Sequence, residues 1–208
     1  MWCCLVGSEM CIRDRSYFAQ QNTGKDNISL DLSKPEATDI ILGLIEHADV
    51  VIENFRPGVM KRLGLDYERL AAIRPELVYA SSNGYGTGTS WEKRRAYAPV
   101  IGAETGLIKS QGDARDGQYF NDRHSHADVY TALELTVAVL AALNHRHTTG
   151  RGQQVEVTMA QTMLYVNEHT HDALWDEPVP EGVIRSFQPG DYQVLELGDG
   201  SSVIVSGH

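Results

Sequence analysis

Asp128 is the residue of this chain that is best placed for covalent chemistry. It stands at the start of a helix that the apolar pattern predicts over residues 128–144. The unpaired amides and the dipole of a first helical turn favour negative charge, so we expect an ionised carboxylate that is nucleophilic at neutral pH. The alternative is a capping aspartate, which is the commoner role for this residue type at a helix start.

Two loops have the composition of ligand-binding segments. Asn54-Phe-Arg-Pro-Gly58 follows an apolar run, and Arg56, Lys61 and Arg62 could surround a phosphate at a helix N-terminus. The alternative is a plain strand-to-helix turn, capped by Asn and bent by Pro-Gly. Gly84-Tyr-Gly-Thr-Gly88 follows the next apolar run and would let backbone approach a ligand. It departs from G-x-G-x-x-G, so a flexible surface loop is an equal alternative.

Three H-x-H pairs open a different possibility, a metal-dependent hydrolase. The pairs are His124-Ser-His126, His145-Arg-His147 and His169-Thr-His171. Side chains at i and i+2 of a helix point about 200° apart and cannot share one ion, which argues against every pair that is helical. We therefore expect surface histidines and no metal cofactor. His124 and His126 lie close enough to Asp128 in sequence to touch a substrate or to influence the charge of Asp128.

The elements that must position these residues alternate between strand and helix. Short apolar runs predict strands at 28–32, 50–52, 77–80 and 154–157. A capping box of Ser33 and Glu36 with Pro35 predicts a helix start, followed by an apolar stripe of Ile40, Ile41, Leu44 and Ile45. A second helix is predicted over Asp66 to Ile73. The helix at 128–144 is predicted to bury Val129, Ala132, Leu133, Val137, Leu140 and Leu143. This alternation predicts an α/β fold with a parallel, Rossmann-like sheet flanked by helices.

Composition excludes several classes of protein. With 208 residues, 42% of them hydrophobic, the chain is long enough to bury a core. A net charge of -10 disfavours nucleic acid as a partner. We find no stretch of about 20 continuous apolar residues, so we expect a soluble, cytoplasmic protein without a membrane partner. Cys3, Cys4 and Cys11 are the only cysteines, which excludes a disulfide framework for the fold.

Several short blocks occur together in a recognisable order. They are Asn22–Lys25, Leu30–Leu32, Ala48–Gly58, Arg62–Leu65, Leu77–Tyr79, Gly84–Gly86, Ala127–Asp128 and Thr149–Gln153. This combination resembles the class III CoA-transferases, the family of formyl-CoA transferase and carnitine CoA-transferase. The resemblance covers about residues 17 to 206, and E-N-F-R-P-G and T-G-R-G-Q are its most specific blocks.

The resemblance implies a domain organisation. Members have a large Rossmann-like domain, a smaller second domain, and two chains interlocked as a homodimer. Residues 16–175 would be the large domain, incomplete at its N-terminus, and 176–208 a linker with the first hairpin of the small domain. Prolines mark the linker, and Asp199-Gly200 marks the hairpin turn. Residues 1–15 are predicted to be a non-native leader, because Gly7–Arg15 looks like translated sequencing adapter.

The resemblance also implies a site and a reaction. Asp128 matches the aspartate that forms covalent intermediates while CoA moves from an acyl-CoA thioester to a free carboxylic acid. The positions that match the coenzyme A site are Leu30, Ser33, Asn54, Phe55, Arg56, Arg62, Arg95 and Tyr97.

Two further alternatives stay open. The α-methylacyl-CoA racemases share the fold but use a histidine and an aspartate where this chain has Tyr97 and Ala98. Tyrosine, with an ordinary pKa of about 10, is a poor general base at neutral pH, which favours the transferase. Ala98 also replaces an acid found in many members, which leaves the acyl specificity open. The other alternative is a non-catalytic CoA-binding subunit.

Overall fold

The computed structural model describes residues 15–113, 115–121, 124–167 and 192–206. The chain divides into two compact units. The first comprises the described residues up to Asp49 together with Gly58–Pro75, and the second comprises Val50–Pro57 and the described residues from Glu76 onward. The predicted leader up to residue 14, the prolines of the predicted linker and the His169–His171 pair lie outside the described residues.

The described residues of the first unit form four helices: α1 (Arg15–Asn22), α2 (Pro35–Ile45), α3 (Val59–Arg62) and α4 (Tyr67–Ile73). Helix α2 packs against α4, and Ala37, Ile45, Leu65 and Leu70 are buried. Helix α4 begins as predicted, because the Asp66 carboxylate accepts a hydrogen bond from the Arg69 N–H at 3.2 Å. The predicted stripe of α2 is only partly correct, since Ile40 is 45% exposed.

The predicted strand at 28–32 and the capping box after it are wrong. Residues 28–32 alternate between half-buried and exposed, as a strand would, but they pair with no other described segment. The Asp31 carboxylate accepts hydrogen bonds from the backbone N–H (3.0 Å) and the hydroxyl (2.7 Å) of Ser33. This local turn satisfies Ser33 before the helix begins, so Lys34 is the N-cap of α2 and has no side-chain cap. Pro35 occupies the first turn of α2, as predicted.

The second unit is built on a parallel sheet in the order β1 (Val50–Glu53), β2 (Val78–Asn83) and β3 (Gln154–Thr158). All pairs are parallel, which confirms the predicted α/β class. Residues 77–80 are buried at the centre of the sheet, whereas Ile52 on the outer strand β1 is 50% exposed. The register places Glu53 opposite Ser81, and Ser81 opposite Glu156, in one row near the carboxyl ends of the strands.

The T-G-R-G-Q block lies at the other end of this sheet and serves packing. Gly150 ends the preceding helix in the left-handed region, with φ of 70°. A Cβ at Gly152 would lie 1.9 Å from the Leu77 carbonyl oxygen, so only glycine fits there. The Gln153 carbonyl then accepts the Tyr79 N–H at 2.9 Å, which starts the pairing of β2 and β3.

Helices α5 (Ala98–Glu104), α6 (Leu107–Asp113), α7 (His126–Thr149) and α8 (Met159–Val166) surround the sheet. Helix α7 packs against β2, β3, α5 and α8. Its buried residues are Ala127, Thr131, Leu135 and Ala142. The predicted buried face is wrong: its members Val129, Leu133, Val137 and Leu140 are 54–65% exposed. Both faces of α7 are apolar, so periodicity alone cannot distinguish them; the face that carries Leu135, Ala138 and Val139 packs against the sheet.

Among the described residues, α7 is the one helix long and apolar enough to cross a membrane. One such helix, identified by length and composition alone, is weak evidence for a membrane span, and α7 packs against the sheet along one face. The predicted absence of a membrane partner stays a prediction.

Strands β4 (Tyr192–Glu196) and β5 (Ser202–Ser206) form the predicted hairpin. The Asp199 carboxylate accepts the Ser201 N–H at 2.9 Å, and Gly200 adopts φ of 81° in the turn. The Asp-Gly signal therefore identified this turn correctly.

Candidate active site

The loop after β1 is held by the last residue of that strand. The Glu53 carboxylate accepts the Phe55 N–H at 2.8 Å and so fixes the start of the Asn54–Pro57 turn. Asn54 and Arg56 are exposed, and Phe55 is half-buried. Burial raises the pKa of Glu53 to about 6; the Phe55 hydrogen bond opposes this shift and the nearby charge of Glu156 adds to it. The loop thus displays its polar side chains over a partly desolvated carboxyl group.

The loop after β2 is fixed by several side chains. Asn83 accepts the Gly86 N–H at 2.6 Å and donates to Glu156 Oε1 at 2.6 Å. Glu156 also accepts the Thr87 N–H at 3.2 Å and the Thr87 hydroxyl. A Cβ at Gly84 would lie 2.2 Å from the Ala96 Cβ, so this glycine is required by contact with Ala96. The alternative of a loosely held surface loop does not fit this network.

A stack of aromatic and charged groups continues this loop towards α5. The Arg94 guanidinium lies 4.4 Å from the Trp91 ring and 5.5 Å from the Tyr85 ring. Glu104 forms an ion pair with Arg94 and accepts the Tyr85 hydroxyl. Arg95 follows the stack and is exposed, and Tyr97, the N-cap of α5, is 62% exposed. The stack therefore fixes the backbone that carries two of the predicted coenzyme A residues.

The other predicted coenzyme A residues lie in the first unit. Leu30 is half-buried, Ser33 is hydrogen-bonded to Asp31, and Arg62 is exposed. Lys61 and Arg62 occupy the last turn of α3, a helix of only four residues. In so short a helix Arg62 still reaches the helix start: its guanidinium lies 3.8 Å from the position of a Cβ on Gly58, the N-cap. That this basic cluster receives a phosphate stays a prediction. That Leu30, Ser33, Asn54, Phe55, Arg56, Arg62, Arg95 and Tyr97 bind coenzyme A stays a prediction.

Asp128 is the third residue of α7, and its side chain is exposed. The N-cap of the helix is Ser125, and Asp128 lies three residues after it, the position of the acid in a capping box, so the alternative of a capping aspartate stays open. Partial desolvation by the surrounding protein raises the pKa of Asp128, and a side-chain hydrogen bond with Ser125 works in the opposite direction. A carboxylate that has lost part of its hydration is a stronger nucleophile than one in open water.

A small cavity lies between α5, α6 and the start of α7, and Asp128 directly follows the residues of α7 that line it. Ser125, His126 and Ala127 line one side of it, and Ala98 and Pro99 line the other. The structure thus brings the residues that follow Tyr97 to the residues that precede Asp128.

Metal ligation finds no support in the part of the chain that the structure describes. No three His, Cys, Asp or Glu side chains come together there as a metal site. The rings of His124 and His126 are 5.8 Å apart, and His126 stacks on Tyr130. His145 and His147 are both helical, so they point in different directions, as the spacing argument required.

The sequence analysis assigned no role to three residues of the candidate site: Ser125, Glu53 and Glu156. Ser125 and Asp128 have the spacing of a capping box in which Asp takes the place of the usual Glu. This spacing could have located the N-cap from the sequence. Glu53 and Glu156 carried no local signal, because their relation depends on the register of three strands.

Comparison with known proteins identifies the family. The sequence profile of CoA-transferase family III matches residues 7–208. The succinyl-CoA:mesaconate CoA-transferase of Haloarcula hispanica is 35% identical over 198 residues, which is 91% of this chain and 49% of that protein. The formyl-CoA:oxalate CoA-transferase of Afipia carboxidovorans is 35% identical over 151 residues, covering 73% of this chain and 35% of that protein.

Solved structures agree with the sequence comparison. A CAIB/BAIF family protein from Brucella suis superposes with a TM-score of 0.74 at 33% identity, covering 89% of this chain and 49% of that chain. The chain therefore belongs to CoA-transferase family III. It spans between about a third and a half of the length of these relatives.

Proposed function

We propose that the protein carrying this chain transfers CoA from an acyl-CoA thioester to a free carboxylic acid, with Asp128 as the covalent nucleophile. Family membership supports the reaction class, and the relatives' names pair CoA esters with carboxylic acids. The observation that supports this role for Asp128 is its position: a partly desolvated carboxyl group in the first turn of α7, directly after three residues that line a cavity.

The reaction proceeds by acyl substitutions in series. A carboxylate oxygen of Asp128 attacks the thioester carbonyl carbon, the C–S bond breaks, and CoA leaves as a thiolate, giving an aspartyl–acyl anhydride. The thiolate attacks the aspartyl carbonyl carbon and releases the first acid as a carboxylate, leaving an aspartyl-CoA thioester. The second carboxylate attacks this thioester and expels the thiolate. The thiolate then takes the new acyl group, which regenerates the Asp128 carboxylate.

The residues that the family resemblance assigns to coenzyme A have side chains suited to binding it. Arg56, Arg62 and Arg95 supply positive charge for its phosphates, and Asn54, Ser33 and Tyr97 supply hydrogen bonds. Leu30 and Phe55 supply apolar contact. No metal ion enters the proposed reaction.

The proposal extends to assembly as an interlocked homodimer, which the family resemblance implies. Its support in this chain is the exposed apolar face of α7, formed by Val129, Leu133, Val137 and Leu140. Cytoplasmic location and the absence of nucleic-acid and membrane partners remain part of the proposal.

Trapping of the aspartyl intermediate tests the function. The complete protein is incubated with an acyl-CoA and then with hydroxylamine, and peptide mass spectrometry locates the modified residue. We expect modification at Asp128, and we expect D128N to lose both the modification and at least about 1,000-fold in transfer rate. D39N, which changes an exposed aspartate of α2, is the matched control and keeps both. Transfer by D128N at the native rate would refute the mechanism.

A further inference from the structure

Glu156 holds the loop that follows β2, although it lies on the neighbouring strand β3. One of its carboxylate oxygens accepts the Asn83 amide at 2.6 Å and also accepts the Thr87 hydroxyl. The same oxygen accepts the Thr87 N–H at 3.2 Å, and Asn83 in turn accepts the Gly86 N–H at 2.6 Å. A single side chain of β3 therefore fixes the loop on both sides of Gly84.

Gly84 is the point at which this loop meets the backbone that leads into α5. Its carbonyl oxygen accepts the Ala160 N–H at 3.0 Å, which ties it to the first turn of α8. A Cβ at Gly84 would lie 2.2 Å from the Cβ of Ala96, so the loop packs directly on this residue. Ala96 lies between Arg95 and Tyr97 in the chain. Because close-packed groups transmit displacements, a shift of the loop moves the backbone of these two residues.

Arg95 and Tyr97 are positioned mainly through their backbone. Arg95 is exposed and Tyr97 is 62% exposed, so contacts of their own side chains contribute little to where they stand. The stack around Arg94 holds the chain just before them, and the Gly84 contact holds it between them. A weaker hold on the loop after β2 should therefore reach both residues together.

We propose that Glu156 is a positioning residue for coenzyme A: through the loop after β2, its acceptor oxygens set the backbone that carries Arg95 and Tyr97. The inference rests on the proposed function, because the family resemblance is what assigns these two residues to coenzyme A. The role belongs to the acceptor oxygens and opposes the effect of the charge. A negative charge by itself repels the phosphates of coenzyme A, so its removal alone would strengthen binding.

Calorimetric binding of free coenzyme A to the complete protein tests this role. We expect E156A to weaken the Kd about tenfold, and to change kcat by less than about twofold, because it removes the acceptor for the loop. E156Q keeps an acceptor oxygen and should restore most of the affinity. D113A removes a carboxylate of α6 that likewise accepts a hydroxyl, from Tyr119 at 2.7 Å, and is the matched control. Equal loss in E156A and E156Q, or unchanged affinity in E156A, would overturn the inference.

A double-mutant cycle shows whether Glu156 acts through Arg95 and Tyr97. Once R95A/Y97A has removed both side chains, E156A should weaken binding by less than about twofold, because the residues that it positions are gone. Additive losses would overturn the inference. If E156A does not fold, T87V takes its place in the cycle, since it removes only the hydroxyl that Glu156 accepts, and a smaller loss with the same non-additivity is expected.

The binding cycle separates this inference from the proposed function, because binding of free coenzyme A needs no transfer step. Non-additive losses in the cycle together with native transfer by D128N would leave the positioning role of Glu156 standing and refute the nucleophile. Trapping at Asp128 together with additive losses in the cycle would do the reverse.

Discussion

The two ends of the parallel sheet are held by different kinds of contact. At the amino ends of β2 and β3, backbone lies on backbone: Gly152 is in contact with Leu77 and leaves no space for a side chain. At the carboxyl ends, the loops are held by the side chains of Glu53, Asn83 and Glu156. The first arrangement fixes the architecture, whereas the second can be changed one residue at a time. In open α/β sheets ligands bind at the carboxyl ends, and here that is the adjustable end.

The largest effect is expected from G152A, which attacks the backbone-packed end. Its new methyl group would overlap the Leu77 carbonyl and force β2 and β3 apart, so we expect at least about 3 kcal/mol of destabilisation. Chemical denaturation measures the change. G43A is the matched control: Gly43 lies in α2 with nothing near its Cβ position, and alanine there should stabilise by about 0.5–1 kcal/mol. If the two substitutions have similar effects, close packing is not what fixes this end.

A smaller effect is expected from N83A at the opposite end. The substitution removes the acceptor for the buried Gly86 N–H and a donor to Glu156, which should cost about 1–3 kcal/mol. Faster hydrogen exchange at Gly86 and Thr87, with slow exchange retained at Tyr79, would show that only the loop has loosened. N83D keeps the acceptor but places a second negative charge beside Glu156. If N83D is less stable than the native chain at pH 7 and regains stability on acidification, repulsion between the two carboxylates is the cause.

The smallest effect is expected from E53Q, and it depends on pH. The pKa of Glu53, about 6 in the folded chain, lies above its ordinary 4.5, so the folded state binds more protons between these values. Stability of the native chain therefore falls as pH rises through this window. Glutamine keeps an acceptor for the Phe55 N–H and removes the charge. Above pH 6 we expect E53Q to be more stable by up to about 1 kcal/mol, a figure reduced for the solvent that still reaches the group.

The pH profile of unfolding measures this difference, which should vanish towards pH 4.5. E46Q, which alters an exposed glutamate that follows α2, is the control and should leave the profile unchanged. If E53Q differs in stability from the native chain by the same amount at every pH, the charge of Glu53 is not the cause of the difference.

Much of the fold was predictable because its signals are local. The runs at 50–52, 77–80 and 154–157 became the three parallel strands, and Asp66 and Asp199-Gly200 marked a helix start and a turn. The strand at 28–32 failed because Asp31 forms a turn with Ser33 and strand pairing depends on a neighbour. The predicted orientation of α7 was wrong because both of its faces are apolar, and the choice between them depends on tertiary contacts with β2 and β3.

The candidate site was predictable in part. Asp128 was located by its place at a helix start, and its contact with Ser125 is equally local, but the cavity between α5, α6 and α7 depends on elements far apart in sequence. The link between Glu53 and Glu156 likewise arises from strand register. Residue types therefore indicated the chemistry, whereas tertiary packing determines the environment in which a carboxyl group reacts.

The contact between Gly152 and Leu77 has a consequence for how relatives of this chain are sorted. T-G-R-G-Q is among the most recognisable stretches of the sequence, yet its second glycine is required by backbone packing. A homologue that had exchanged its nucleophile for an inert side chain would still need that glycine to assemble its sheet. Presence of the block therefore identifies the scaffold; under the proposed mechanism, the first turn of α7 is where a working enzyme would differ from a catalytically silent copy.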